Sequence, residues 1–153
     1  MPGLNVNIQL QGFEEVLNKL QNSPQILEEA SKQMLTKATF IARGTAQEAS
    51  PIDKGTLRGS ITSKVEGSGK EMTGIVSSNI SYAKYQEFGT RGHGPSRARV
   101  LAWQGRNGKW IIARYVRGVT AKKFLQKGLM EVKNNINSIQ SLGLSIIKAK
   151  LGM

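Results

Sequence analysis

Cysteine is absent from this 153-residue chain, and histidine occurs once, as His93. Without cysteine there is no disulfide framework and no thiolate metal site, and a lone histidine has no second imidazole with which to hold a metal. The ten acids are scattered, several as surface-type pairs such as Glu14-Glu15 and Glu28-Glu29. Nor is there a phosphate-cradling GxxxxGK(S/T) loop, a GxGxxG fingerprint or a nucleophile elbow; Gly92-His93-Gly94 lacks the strand-to-helix setting such loops need. No catalytic, cofactor-binding or metal-binding residue is assigned, and the expectation is a protein that is not an enzyme and takes no small-molecule substrate. Long apolar runs are missing too. Nothing approaches the roughly 20 residues that cross a bilayer, and Asn5, Asn7 and Gln9 make the N-terminus polar where a signal peptide would be apolar. The expectation is a soluble chain with no membrane partner, folded in a reducing cytosol.

Acidic residues are scarce in one half only. Up to Phe88 the chain holds nine basic and nine acidic residues; from Gly89 onward thirteen Lys or Arg face one acid, Glu131, so this half carries the whole net charge of +12. An excess of this kind calls for an acidic partner: nucleic acid, an anionic surface, or an acidic face of another protein. Arg91, Arg97, Arg99, Arg106, Arg114 and Arg117 lie close in sequence to Trp103, Trp110 and Tyr115, the mixture that backbone neutralisation and base stacking require. No recognised DNA- or RNA-binding module can be traced. A non-specific nucleic-acid-binding module is one reading; a solvated or protein-facing surface is the other.

Local patterning predicts an α+β chain, read as a single domain over 1–153 with its core at about 5–140. Asn5 to Leu10 alternates polar and apolar, a half-buried strand, and Phe13, Val16, Leu17 and Leu20 fall at helical spacing. Ser23-Pro24 suits the start of a long helix, its apolar stripe running from Ile26 to about Ala49 and rich in alanine. Pro51 ends that helix, and Asp53 with Gly55 is turn chemistry, a side-chain acceptor followed by a residue free to take positive φ. Ser60 to Glu66 and Met72 to Ile80 read as a hairpin. Thr90 to Arg99 reads as an exposed, mobile basic loop. Val100 to Trp103 and Trp110 to Val116 form a second hairpin around Asn107-Gly108, with Arg106 and Lys109 at its tip. Thr120 can cap a last helix carrying Phe124, Leu125, Leu129, Val132, Ile136 and Ile139; Gly128 inside it predicts a close packing partner. Beyond Gly143 the chain reads either as a further helical turn or as a C-terminal arm over 141–153.

Between the two halves lies Ser81 to Thr90, with three of the nine aromatic residues. It reads as a short helix begun by Ser81 and ended by Gly89, with Tyr82, Tyr85 and Phe88 on roughly one face. Two readings of that face stand side by side, core or interface anchors and a stacking platform, and the former predicts that all three are seated in the core. Glu87, the last acid for more than forty residues, is expected to pair with an arginine of the basic arm.

Three segments together carry a resemblance: Ser50-Pro51-Ile52-Asp53-Lys54-Gly55-Thr56-Leu57-Arg58-Gly59-Ser60-Ile61, then Tyr82-Ala83-Lys84-Tyr85-Gln86-Glu87-Phe88-Gly89-Thr90, then Phe124-Leu125-Gln126-Lys127-Gly128-Leu129. In order and spacing the chain, over about residues 10 to 140, resembles the tail-completion, or head-tail joining, proteins of long-tailed bacteriophages and prophages. Lys127-Gly128 depart from the proline and alanine usual in the last motif, and the Trp103 to Trp110 hairpin falls in the family's most variable region. The resemblance implies a long helix and a C-terminal helix packed on a small, mostly antiparallel sheet. It implies a virion protein made in the host cytoplasm and assembled as a hexameric or dodecameric ring at the neck. Such a ring contacts the head connector or adaptor and the tail-tube or tail-terminator protein, with phage DNA close by in its lumen. Asp53, Gly55, Tyr82, Tyr85, Glu87, Phe88, Gly89, Phe124 and Leu125 would be structural anchors, and Arg91, Arg97, Arg99, Arg106 and Lys109 would face partner proteins or the DNA channel.

Overall fold

The computed structural model describes residues 4–8 and 24–150. The helix expected over Phe13 to Leu20, and the capping role of Ser23, lie outside the described residues. The long helix is present as α1 (Pro24–Ala49), with Leu27, Ala30, Met34, Leu35, Ala38, Thr39, Ala42 and Ala46 buried along one stripe. That spacing matches the helical period, so the buried side chains line up on one face. Four of the eight are alanine, which keeps the stripe thin and lets neighbouring backbones approach.

Strand β1 (Leu4–Ile8), strand β2 (Ile61–Glu66) and strand β3 (Thr73–Ser78) form an antiparallel sheet in the order β1-β3-β2. Central β3 alternates: Gly74, Val76 and Ser78 are buried while the residues between them are half-buried. Its buried face meets α1, where a side chain on Gly74 would collide with the methyl of Thr39. The segment before β2, expected as loop throughout, contains one helical turn, α2 (Thr56–Ser60). Gly55 takes φ 75° as its turn role requires, and its carbonyl accepts the Gly59 amide at 2.9 Å.

The expected last helix is two helices, α4 (Phe124–Asn134) and α5 (Ile136–Lys150), with the break at Asn135. Both pack on α1, and each does so through a glycine. Gly128 of α4 is buried directly against the Ala42 backbone, the close partner that a glycine in mid-helix predicts. Gly143 of α5 sits on the Met34 side chain. Residues 144–150 continue α5, with Ile147 buried beside Leu27 and Ala30. Phe124, Leu125, Val132 and Ile139 close the main core over Met34, Ala38, Ala42, Leu57, Ile61 and Val76. Long helix, C-terminal helices and small antiparallel sheets make the α+β architecture that the patterning predicts.

Candidate assembly surface

A short helix, α3 (Ala83–Phe88), joins this body to the basic half of the chain. It carries no side-chain cap at its start, so Ser81 does not play the role its position suggests. Its aromatic face is not in the core: Tyr82 is 43%, Tyr85 47% and Phe88 71% exposed. Ala83 and Glu87 are the buried residues instead. Spacing at i, i+3, i+6 predicts a shared face but not which face the rest of the molecule covers, and α3 is turned so that its alanine side meets the core.

Glu87 is 4% exposed and pairs with no arginine. Its carboxylate accepts the Leu125 amide at 2.8 Å and the Gln126 amide at 3.0 Å. These are among the first amides of α4, which have no carbonyl partner inside their own helix and sit at its positive end. The reciprocal bonds run the other way. The Lys122 and Lys123 amides donate to the carbonyls of Gln86 and Glu87, at 2.7 and 3.2 Å, where α3 would leave its last carbonyls free. The end of α3 and the start of α4 thus satisfy each other, and Thr120 is not the cap. Lys123 takes the left-handed conformation, φ 52°, to make the joint.

From this joint the chain leaves at Gly89 (φ 75°), where a Cβ would stand 2.7 Å from the Val119 carbonyl oxygen. The segment after Gly89 is tied back to residues 116–119 by one isolated bridge and its flanking bonds, while Gly94 to Val100 is the mostly exposed loop expected there. The Thr90 amide donates to Val119 (2.8 Å), the Val119 amide to the Thr90 hydroxyl (2.9 Å), and His93 and Val116 exchange both backbone bonds. Beyond that loop the chain pairs again as a two-stranded ribbon, β4 (Leu101–Gln104) and β5 (Trp110–Ala113). Its tip is the expected turn: Gly108 takes φ 75°, its amide donates to Gly105 (2.9 Å), and the Asn107 side chain accepts the Lys109 amide (3.1 Å).

The tip returns to the body. Arg106 makes a two-pronged ion pair with Asp53, one arm at 2.9 Å, so the carboxylate expected to accept local amides reaches across 53 residues instead. The hydrogen bond and the charge of Asp53 hold the guanidinium above its ordinary pKa. Both partners are well exposed, so the pair orients the ribbon more than it stabilises the fold. Asp53, Arg106, Tyr82 and Gln86 line one cleft of about 440 Å³ with the Pro51 to Leu57 segment. Replacing Asp53 with Asn is expected to leave the melting temperature within about a degree of the parent while speeding tryptic cleavage after Arg106. An unchanged cleavage rate would show that the pair does not hold the tip.

Arg91, Arg97, Arg99, Arg106 and Lys109 are all exposed, Arg97 and Arg99 in the Gly94 to Val100 loop and the others on the paired segments either side of it. The fold thus gathers these cations on one segment, while Glu87, Gly89, Phe124 and Leu125 sit at its joint or in the core beneath and Gly55, at the start of α2, lines the cleft with Arg106. Among the described residues no trio of His, Cys, Asp or Glu is placed to hold a metal ion.

Residues without a recognisable pattern in the sequence brace the end of α1 against α2 and the β2–β3 pair. Arg58 donates from Nε to the Gln47 carbonyl at 2.8 Å and from Nη2 to the Glu48 carbonyl at 3.3 Å. Helix α1 has no basic residue in its last turn, and Arg58 supplies from outside the cation that the negative helix end favours. Gln47 answers through Nε2 to the carbonyls of Arg58 and Ile61. Ser60 Oγ gives its one proton to the Leu57 carbonyl, so in its 2.7 Å contact with Ser78 the Ser78 hydroxyl is the donor. Arg58→Met is expected to cost about 1 kcal/mol, since it takes a charged donor from two helix-end carbonyls, of which that of Gln47 keeps the Ser50 hydroxyl at 2.7 Å; a thermal melt superimposable on the parent's would contradict this. The only signal of the bracket in the sequence is the arginine within the Asp53 to Ile61 motif.

A family model, HK97-gp10_like, described as "Bacteriophage HK97-gp10, putative tail-component", matches residues 14–89. Over these residues the chain is similar to that family. The match takes in α1, the Asp53 to Ser60 segment, β2, β3 and α3, and it stops at Gly89, where the basic segment begins and the charge balance changes. Comparison with curated proteins and with solved structures gives no match. That family is one of phage tail components, which supports a structural part in a phage tail and contact with other virion proteins. No helix among the described residues is long and apolar enough to cross a membrane.

Proposed function

We propose that this chain is a tail component, the joint between tail and head. Copies assemble as a hexameric or dodecameric ring at the neck or the head-proximal end of the tail. The ring bridges the head connector or its adaptor to the tail-tube or tail-terminator protein, and DNA passes through its lumen. The subunit is made in the bacterial cytoplasm, works without cofactor or catalysis, and ends in the virion. One observation carries the reading: a body similar to a tail-component family bears a basic segment, braced at both ends, with its cations exposed.

The test is a phage lacking the gene. Electron microscopy of its lysate is expected to show DNA-filled heads and finished tails, unjoined; joined particles would refute the proposal. The arginines beside exposed tryptophans favour a second reading, a non-specific nucleic-acid-binding module. Such a module would bind duplex DNA at physiological salt, with affinity falling steeply as salt rises. A joint should show little affinity for free duplex under those conditions.

A further inference from the structure

The β4–β5 ribbon has one face that nothing in the described chain covers. Its register sets Ala102 opposite Ile112 and Gln104 opposite Trp110, with Trp103 opposite Ile111 one step along. Because side chains alternate, Ala102, Gln104, Trp110 and Ile112 share one face and Leu101, Trp103, Ile111 and Ala113 the other. The first face is the barer: Trp110 is 70% and Ile112 67% exposed, against 39% for Trp103 and 42% for Ile111. A two-stranded ribbon with an open apolar face is marginal alone in water and gains from a third layer.

We infer that this face docks onto another virion protein, at an apolar surface rimmed by carboxylates. Charge decides the partner. Between Gly89 and Gly118 the chain carries seven Lys or Arg and no acid. The same ribbon of a second copy would therefore repel it, and the body of a second copy, with fifteen cations against ten acids outside Gly89 to Gly118, offers no net attraction. Duplex DNA would satisfy the cations but would leave Trp110 and Ile112 against a phosphate-lined, hydrated surface. A protein with an apolar centre and an acidic rim satisfies both, with Trp110 as the buried anchor and Arg99 and Arg114 at the edge. The Asp53–Arg106 pair presents the ribbon ready-made, so little ordering is left for the moment of docking. The inference rests on the joining role and adds the surface through which it is exercised.

The experiment uses DNA-filled heads and tails, each purified from a phage lacking this gene, and measures cosedimentation of the purified protein. The Trp110→Ser/Ile112→Ser variant is expected to keep the parent's melting curve and to bind its half-particle at least about tenfold more weakly. Arg99→Glu/Arg114→Glu, which removes no apolar contact, is expected to weaken binding likewise and guards against a folding defect in the first variant. Parent-like binding by both variants would overturn the docking face and leave the joining role intact. Retention of the parent protein on a short duplex at physiological salt, lost in step with particle binding, would assign the face to DNA. If the parent binds neither heads nor tails, the joining role falls as well.

Discussion

Glu87→Ala is expected to lower stability by about 3 kcal/mol, the largest effect of any single polar change in this protein. The carboxylate is buried and accepts two amides at the start of α4. Hydrogen bonds to a charged group contribute about 1.5–3 kcal/mol each, and the positive helix end adds to both. The loss is held near the lower sum because Gln126 lies at the surface, where water can take over one amide. At about 2–4 °C per kcal/mol for a chain of this size, the melting temperature should fall by roughly 6–12 °C. Glu87→Gln keeps one acceptor and turns an amide group toward a second donor, so it should fall between parent and alanine. The same joint roots the ribbon, so hydrogen exchange at Thr90 and Val119 should accelerate in Glu87→Ala well before global unfolding. A melting curve unmoved by the alanine change would mean that α4 does not depend on this cap.

The second large effect is expected at Gly128. Alanine there should gain up to about 1 kcal/mol of helix propensity, yet the net change is expected to be a loss of about 2 kcal/mol, and valine should cost more. A Cβ at this position would stand 3.2 Å from the carbonyl carbon of Ala42 and closer still to its oxygen. That carbonyl belongs to the middle of α1 and cannot step aside without separating the two helices. Gly143 makes the useful contrast. Its collision is with the Met34 side chain, which can change rotamer, so Gly143→Ala should be milder. Differential scanning calorimetry of the two alanine variants tests the ordering; a Gly128→Ala protein as stable as the parent would remove the case for close α1–α4 contact.

The exposed aromatics of α3 reverse an expectation with consequences. If Tyr82, Tyr85 and Phe88 were in the core, truncating Phe88 would cost on the order of 3 kcal/mol. At 71% exposure Phe88 has little to lose on truncation in the isolated subunit. It belongs with Trp110 and Ile112 among the large apolar side chains left at the surface, which suits a protein whose work is contact.

What the amino-acid sequence determines by itself here is whatever depends on near neighbours. The stripe of α1, the alternation of β3, the turn at Asn107-Gly108, the positive φ of Gly55 and Gly89, and the need for a close partner at Gly128 all come from spacing of a few residues. The break in charge at Gly89 is likewise plain in the sequence, as is the family likeness of the segment before it. The tertiary structure alone decides the partners of isolated polar groups. Glu87 meets amides 38 and 39 residues away, Arg58 closes a helix that ends before it, and Asp53 finds Arg106 across 53 residues. A lone carboxylate or guanidinium has no periodicity and leaves no trace of which donor or acceptor it will meet. The face that an amphipathic turn buries is undetermined for the same reason: spacing says which side chains travel together, and only the packing of the rest of the chain says whether water or protein lies on that side.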